Sequence, residues 1–361
     1  MFLRISILLL ISGFLISGIP EKSITTGKLP KNIILIIGDG MGLSQISASM
    51  YSAGNKTILE EFPVTGLIAT QSYSNLITDS GAGATAFACG CKTFNGAIGV
   101  DAQKHPCTTL LEIADSLGRA TGLAVNCSVT HATPASFVAH VPDRAKAEDI
   151  ALWFLRQPVD FLVGSGAKYF HHRKNDNRNL LQELAKTGVN IVMNRYDSIP
   201  SMPATDHPFF WLTGEDEPPS ALLGRAYLPE VTRMATSFLS RRAGANGFFL
   251  MVEGSQIDWA GHANERDQLL AEMKDFEAAT AAALAFAKSN SETLVVVTAD
   301  HETGGMSILQ GSDLDSLDMK FTTKGHTASL IPVFAYGPGS EKFGGLYQNT
   351  GIFEKILALM K

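Results

Sequence analysis

The sequence is poor in charged residues, and the charge that it carries is not basic. Charged residues make up 18% of its 361 residues, and the formal net charge is −6. Binding to nucleic acid or to an anionic membrane requires a basic surface, which this composition does not supply. We therefore expect a small-molecule partner and no specific nucleic-acid binding. At this length the chain can hold two domains or one large α/β domain.

Cysteine is also scarce, and the sequence has no internal repeat or low-complexity tract. A single residue separates Cys89 from Cys91, whereas zinc motifs usually leave about two to four residues between cysteine ligands. This spacing favours buried thiols or a local disulfide over a metal site. The pairing stays open among the cysteines of the chain, which are Cys89, Cys91, Cys107 and Cys127.

The N-terminus differs in composition from the rest of the chain. Residues 1–4 include Arg4, residues 5–16 are almost wholly apolar, and the small residues Ser17 and Gly18 follow. This is the pattern of a signal peptide, and the apolar run is shorter than the roughly 20 residues that span a bilayer. An uncleaved anchor is the less favoured alternative, and no cysteine follows the run to indicate a lipoprotein. We expect residues 1–18 to be a signal peptide and the protein to be exported, periplasmic or secreted, without a stable membrane anchor after cleavage.

Continuous apolar runs alternate with helical patterns along the rest of the chain. Runs that are apolar on both faces are typical of buried parallel strands, and they occur at residues 32–37, 248–252, 293–298 and 331–336. The alternation predicts an α/β fold with a mostly parallel central sheet and helices on both faces. The polar, proline-containing stretch over residues 168–219 gives the weakest pattern.

A run of small residues, 78–86, has one acid and one hydroxyl at its start. A strand-like segment precedes it and an alanine-rich helix follows, so Ser80 falls at a helix N-terminus. Unpaired backbone N–H groups and the helix dipole attract anions there, which suits a phosphoryl group that approaches the hydroxyl. We interpret Ser80 as a nucleophile. The alternative is that Asp79 or Ser80 is only a helix cap.

Carboxylates and histidines recur where the buried strands end. The carboxyl ends of parallel strands share one edge of the sheet, so these side chains are expected to lie together. Asp and His suit zinc, whereas a mixture of Asp, Glu and Thr oxygens suits magnesium. The residues expected to converge are Asp39, Glu253, Asp258, His262, Asp300, His301 and His326.

Several short blocks of residues follow one another along the chain. They are Gly38-Asp39-Gly40-Met41-Gly42, Thr78-Asp79-Ser80, His131-Ala132-Thr133-Pro134, Arg144, Glu253-Gly254-Ser255-Gln256-Ile257-Asp258 with His262, Thr298-Ala299-Asp300-His301-Glu302, and Gly325-His326-Thr327. These blocks, in this order, resemble the alkaline phosphatase family over nearly all of the chain after the leader. The resemblance implies an alkaline phosphatase-like three-layer α/β fold, with residues 19–361 as the catalytic domain of an enzyme that hydrolyses phosphate monoesters.

The resemblance further implies two zinc ions and one magnesium ion per chain, and a phosphoserine intermediate at Ser80. Asp39, Asp300 and His301 would hold the zinc that lowers the pKa of the Ser80 hydroxyl. The second zinc, which stabilises the leaving oxygen, would have as its ligands Asp258, His262 and His326. The magnesium ligands would be Asp39, Thr133 and Glu253.

Phosphate binding and the third metal are where this sequence departs from relatives. The resemblance implies that Arg144 grips two phosphoryl oxygens through its planar fork. His131 stands near the magnesium position, where some members have aspartate, which leaves the identity of that metal open. Trp259 stands where many members have a lysine or histidine that helps to hold phosphate, and it cannot supply a positive charge.

A second departure lies between His301 and His326. Many relatives carry a sizeable insertion there, whereas this chain has a short polar link. We expect a reduced upper domain and an open site that accepts many substrates. A homodimer is expected by family analogy only.

Two other functions are weighed against the phosphomonoesterase. One is phosphodiester hydrolysis on the same metal scaffold, and Arg144 argues against it because a monoester presents enough free oxygens for a bidentate clamp. The other is a catalytically silent protein that binds metal or phosphate. The presence of Ser80 together with the complete set of ligand types argues against that second alternative.

Overall fold

The computed structural model describes residues 28–202 and 205–361. The signal peptide expected over residues 1–18 lies outside the described residues. Within the described ranges, no helix is both long enough and apolar enough to cross a membrane.

The strands of the described chain belong to one large sheet and two small two-stranded ones. They are β1 (Asn32–Gly38), β2 (Val64–Ala69), β3 (Ala120–Ser128), β4 (Phe161–Ser165), β5 (Asn190–Met193), β6 (Phe209–Leu212), β7 (Phe248–Gly254), β8 (Thr293–Thr298), β9 (Glu302–Thr303), β10 (Met306–Ile308), β11 (Met319–Phe321), β12 (His326–Thr327), β13 (Ile331–Tyr336) and β14 (Gly345–Gln348).

Helices occupy most of the segments between these strands. They are α1 (Leu43–Ser52), α2 (Ser80–Cys89), α3 (Leu110–Ser116), α4 (Ala132–Val138), α5 (Ala147–Trp153), α6 (Lys168–His171), α7 (Leu180–Lys186), α8 (Leu228–Ala243), α9 (Gln256–Ala263), α10 (Arg266–Asn290) and α11 (Thr350–Met360).

The large sheet has the strand order β14-β2-β13-β8-β1-β7-β3-β4-β6-β5. Its strands pair in parallel except at β13, which runs antiparallel to both β2 and β8. Neighbouring side chains in β7 point to opposite faces. Phe248 packs against Phe286 of α10, and Phe249 packs against Phe137 of α4, so helices cover both faces. The predicted α/β fold with a mostly parallel sheet is confirmed.

The short link between His301 and His326 forms a small antiparallel pair, β10 with β11, rather than an upper domain. A second antiparallel pair, β9 with β12, places His326 opposite Thr303. This pairing brings His326 close to the end of β8. The weakly patterned stretch 168–219 contains β5 and β6, which extend the sheet at one edge and were not predicted.

A buried ion cluster joins the loop before α8 to the long helix α10. Arg225 donates to Asp275 Oδ2 at 2.6 Å and also to Glu272, and the side chains of Arg225 and Glu272 are fully buried. Glu272 Oε1 also accepts the backbone N–H of Ala221 at 2.7 Å. The guanidinium therefore neutralises two carboxylates that have little access to water.

Replacing Arg225 with methionine is expected to lower the free energy of unfolding by about 3–5 kcal/mol, because it leaves two buried carboxylates without a countercharge. Urea unfolding followed by circular dichroism measures the change. Arg233→Met is the matched control, since Arg233 pairs with Glu230 at 2.7 Å but keeps 58% of its side chain exposed. The control should change stability by less than about 1 kcal/mol. Equal effects of the two variants would contradict the prediction.

Candidate metal centre and nucleophile

The site lies where three adjacent parallel strands end. Ile37 of β1 is in register with Glu253 of β7 and with Thr298 of β8. Asp39 follows the end of β1, and Asp300 follows the end of β8. Parallel pairing of these strands thus brings together three acidic residues that are far apart in the sequence.

Gly40 lets this strand end pass close to helix α9. Its φ is +73°, and a Cβ there would lie 2.8 Å from Asp258 Cα and 2.8 Å from Thr303 Oγ1. Only glycine accommodates both the left-handed conformation and the close contact. The backbone N–H of Gly40 donates to Asp300 Oδ1 at 3.3 Å, which orients that carboxylate.

Asp39, Asp300 and His301 form a fully buried cluster beside Ser80. His301 Nε2 lies 3.5 Å from Asp39 Oδ1, 3.2 Å from Asp300 Oδ2 and 3.4 Å from Ser80 Oγ. Within the described residues, neither oxygen of Asp39 accepts a hydrogen bond, and Asp300 Oδ2 accepts none. Burial and the negative charges of Asp300 and Asp258 raise the pKa of Asp39 well above its usual value. Buried carboxylate oxygens without donors are costly unless a cation neutralises them.

A second cluster adjoins the first and contains Asp258, His262 and His326. Asp258 and His262 lie one turn apart on α9, and their closest side-chain atoms are 3.4 Å apart. His326 Nε2 is 3.5 Å from Asp258 Oδ1 and 3.1 Å from His262 Nε2. Two imidazole nitrogens that face each other and a carboxylate match the donor set of a zinc site.

The hydrogen bonds made by Nδ1 of His262, His326 and His301 fix that nitrogen as the one that carries a proton in each ring. His262 Nδ1 donates to Lys324 O at 2.5 Å, and His326 Nδ1 donates to Thr78 O at 2.9 Å, because a carbonyl can only accept. Thr303 donates its hydroxyl proton to Asp258 Oδ1, so it accepts from His301 Nδ1 at 3.2 Å. In the neutral ring, each Nε2 lone pair therefore faces the site. Such outer hydrogen bonds are typical of metal-binding histidines. The hydrogen bond with Asp258 raises the pKa of His262 to about 9, so the Nε2 proton of this ring has to leave before a metal binds.

A third set of polar atoms surrounds Glu253. Burial raises the pKa of Glu253 to about 8, and no described group hydrogen-bonds to Glu253 Oε1 or to Thr133 Oγ1. Cys127 Sγ lies 3.5 Å from Glu253 Oε2. Single ligand atoms of Cys127, His131 and Glu253 all lie within 4.8 Å of one another.

His131 is turned towards Arg144. Arg144 can only donate, so its Nη2 contact of 3.3 Å makes His131 Nε2 an acceptor and places the ring proton on Nδ1. Burial lowers the pKa of His131 to about 4, which keeps the ring neutral. Nδ1 has no hydrogen-bond partner among the described residues. A metal at Nδ1 would require its proton to leave or to move to Nε2, which faces Arg144, so His131 is a poorer ligand than its neighbours Glu253 and Thr133.

Ser80 is the first residue of α2, and Asp79 is its N-cap. Asp79 Oδ1 accepts the Ala82 N–H at 3.0 Å, whereas Oδ2 accepts from Gly96 N at 3.0 Å and from Arg144 Nη1 at 2.9 Å. Burial acts to raise the pKa of Asp79, but the hydrogen bonds from Ala82 and Gly96 and the charge of Arg144 outweigh it and lower the pKa. Asp79 thus ties the arginine to the start of the helix.

The alkaline phosphatase family model matches residues 30–319. The chain belongs to the alkaline phosphatase family. Alkaline phosphatase 3 of Bacillus subtilis is 31% identical over 447 aligned residues, which cover 96% of each chain. Because that alignment is longer than the 361 residues of this chain, the relative carries insertions that this chain lacks.

Two solved structures of a TAB5 enzyme are also similar. Alkaline phosphatase from the Antarctic bacterium TAB5 has a TM-score of 0.88 and 43% identity, covering 92% of this chain and 99% of that chain. A histidine-to-aspartate mutant of TAB5 alkaline phosphatase with Mg bound in its M3 site has a TM-score of 0.88 and 42% identity, with 92% and 98% coverage. Family membership makes this chain a metal-dependent phosphatase.

The structure of this alkaline phosphatase adds three residues that the sequence reasoning did not assign to the site. Asp79 is the helix cap that the sequence offered as an alternative, and it also holds Arg144. Thr303 links Asp258 to His301. Cys127 was expected to be a buried thiol or part of a disulfide, and it lies against Glu253. A search for ligand side chains where buried strands end could have found Cys127, because this residue lies at the end of β3, beside β7.

Trp259 occupies the turn of α9 between Asp258 and His262. Its ring meets the ring of His131 edge to face, with centroids 6.0 Å apart. The indole is therefore near His131, which contacts Arg144. It offers an apolar surface where a cationic side chain would add charge.

Proposed function

We propose that this alkaline phosphatase hydrolyses phosphate monoesters through a phosphoserine formed on Ser80. The observation that carries the proposal is the position of the Ser80 hydroxyl. It stands at the N-terminus of α2 and 3.4 Å from His301 Nε2, beside carboxylate oxygens that accept no hydrogen bond in the described chain. A serine hydroxyl is a weak nucleophile unless a base or a metal activates it, and this cluster supplies a place for a metal.

The donor sets of the clusters fit two zinc ions and one magnesium ion. Bound metal ions would supply Lewis-acid activation of the hydroxyl and neutralise charge on the leaving oxygen. We assign the first zinc to Asp39, Asp300 and His301, and the second to Asp258, His262 and His326. The magnesium site is assigned to the buried oxygens of Asp39, Thr133 and Glu253.

The chain's own groups bind and orient the phosphoryl group. The ion pair with Asp79 holds the guanidinium of Arg144, so the position of this group is set before substrate binds. The N-terminus of α2 also places the positive end of the helix dipole beside the Ser80 hydroxyl. Both features stabilise charge on the phosphoryl oxygens, which is the main requirement of phosphoryl transfer.

The third metal position depends on His131. The TAB5 mutant that replaces a histidine with aspartate is described with Mg bound in its M3 site. In this chain the neutral His131 accepts from Arg144 and leaves Glu253 and Thr133 as the available oxygen ligands. We therefore propose that magnesium binds on the Glu253 side and that His131 positions Arg144.

The remaining proposals concern where the enzyme acts. The pattern over residues 1–18 supports export to a periplasm or to the medium, and residues 19–361 are proposed as the catalytic domain. Small phosphate monoesters are the proposed substrates. A homodimer stays a prediction from family analogy.

Arg144→Ala is expected to lower kcat/KM for p-nitrophenyl phosphate by about 100-fold, because it removes two charge-assisted hydrogen bonds to the phosphoryl oxygens. For bis(p-nitrophenyl) phosphate, which has fewer free oxygens, the loss should be below about tenfold. Steady-state kinetics on both substrates measures the difference.

Arg173→Ala is the control, since Arg173 is bound to Asp176 at 2.6 Å away from the site. It should leave both rates near those of the wild type. A wild-type enzyme that prefers the diester would favour the phosphodiesterase alternative and contradict the proposal. Binding of metal without turnover of either substrate would favour the silent protein.

Trp259→Lys is expected to tighten phosphate inhibition about tenfold, because it places one additional positive charge near the bound product. Where product release limits turnover, kcat should fall at the same time. The inhibition constant for inorganic phosphate measures the effect. Trp259→Met separates the added charge from the loss of the ring, and no tightening in the lysine variant would refute the hypothesis.

A further inference from the structure

Three cysteines meet at the C-terminal end of α2, outside the phosphate site. Cys89 is the last residue of the helix, and Cys91 follows the helix-ending Gly90. Cys91 Sγ lies 2.7 Å from Cys107 Sγ, and the Cys89 thiol donates to Cys107 O at 3.3 Å. A disulfide bond is about 2.05 Å long, so Cys91 and Cys107 need to move little to become bonded.

The three thiols differ in reactivity. Cys89 is only 8% exposed, and burial raises its pKa well above the usual value. Cys91 and Cys107 are both partly exposed. The neighbouring Cys89 and Cys91 thiols lower the pKa of Cys107 to about 6, although burial opposes the shift. The thiolate is the attacking species, so the partly exposed Cys107 is a better nucleophile than the buried Cys89.

We propose that Cys91 and Cys107 form a redox-active pair that a low-molecular-weight disulfide oxidises to a disulfide bond. The Cys107 thiolate attacks one sulfur of the small disulfide, forms a mixed disulfide and releases one thiolate. Cys91 then loses its proton, attacks the Cys107 sulfur and releases the second thiolate. The protein gives up two electrons and two protons, and the small disulfide becomes two thiols.

The bond would close the segment that supports Arg144. Residues 92–106 lie between the two cysteines and contain Gly96. Gly96 N donates to Asp79 Oδ2 at 3.0 Å, and Gly96 O accepts from Arg144 N at 2.8 Å. Closure therefore restrains the loop that holds both residues of this ion pair. The inference does not depend on the proposed metals or on the phosphoserine.

Mass spectrometry tests the pairing on the complete protein. The purified protein is equilibrated with excess oxidised glutathione, alkylated under denaturing conditions and digested with and without reduction. The expected result is a peptide pair joined through Cys91 and Cys107, with Cys89 and Cys127 alkylated. Fragmentation between residues 89 and 91 distinguishes the two thiols. Alkylation of all four cysteines, or a link through Cys89 or Cys127, would overturn the proposal.

Matched serine variants supply a second readout. The oxidised wild type should melt roughly 5 °C higher than the reduced protein, since the bond restricts the unfolded chain. Cys89→Ser should keep the difference, whereas Cys91→Ser and Cys107→Ser should lose it. A difference that persists in Cys91→Ser would also contradict the assignment.

Discussion

Ser80→Ala is expected to lower kcat for p-nitrophenyl phosphate by at least about 1,000-fold. The substitution removes the oxygen that lies 3.4 Å from His301 Nε2 and that is proposed to attack phosphorus. The remaining clusters should still bind metal, and Arg144 should still bind phosphate, so a nearly complete loss of turnover is attributed to the nucleophile. Steady-state kinetics and metal analysis of the same preparation measure the two properties separately.

Ser136→Ala is the matched control for this variant. Ser136 is also fully buried, and its hydroxyl donates at 2.8 Å to Ala132 O within α4. It packs against α2 through a 3.5 Å contact with Gly81 O and a 3.3 Å hydrogen bond from Thr85. It should retain activity within about a few-fold of wild type, since its hydroxyl is not proposed to react. Acid quenching during turnover should give a peptide that carries phosphate on Ser80 in the wild type and not in Ser80→Ala. Phosphate on another residue, or substantial activity without Ser80, would reject the mechanism.

Removing metal is expected to abolish turnover and to make the fold less stable. Glu253 is fully buried with a pKa of about 8, and burial and nearby carboxylates raise the pKa of Asp39 as well. A carboxyl whose pKa is raised in the folded state favours folding while it stays protonated. This contribution is complete below the unfolded value of about 4.5 and is lost as the pH rises through about 8.

The metal-free protein should therefore melt at a lower temperature at pH 8 than at pH 6. Bound cations should remove most of this loss, because they neutralise the same carboxylates. Calorimetry after dialysis against a chelator, and again after zinc and magnesium are restored, measures both effects. Full activity after complete chelation would show that the metal mechanism is wrong. Restored melting without restored activity would separate the structural role from the catalytic one.

The strands that carry the site could be predicted because each is a continuous apolar run. The same runs locate Asp39, Glu253 and Asp300, since each acid falls at or just after a run. The direction of β13 could not be inferred, because a buried antiparallel strand can have the same composition as a parallel one. The strands β5 and β6 are only four residues long each and lie in a polar stretch.

The supporting contacts of the site were less accessible to sequence reasoning. The local sequence predicts that Asp79 caps a helix, and the residue does cap α2. Its second role depends on Arg144, 65 residues later, and on the position of the loop that contains Gly96. Thr303 likewise acquires its role only when β8 and α9 lie together. Contacts of this kind follow from tertiary packing rather than from a local pattern.

The pairing of β12 with β9 has a consequence for the order in which activity can arise during folding. His326 reaches back 248 residues to Thr78, and Ser80 lies 221 residues before His301. Contacts between such distant parts of a chain form slowly, because closing a long loop costs entropy before the contact stabilises it. An incomplete chain that ends before β12 lacks one wall of the site, however well its earlier strands have paired. Recovery of turnover during refolding therefore measures the formation of these long-range contacts.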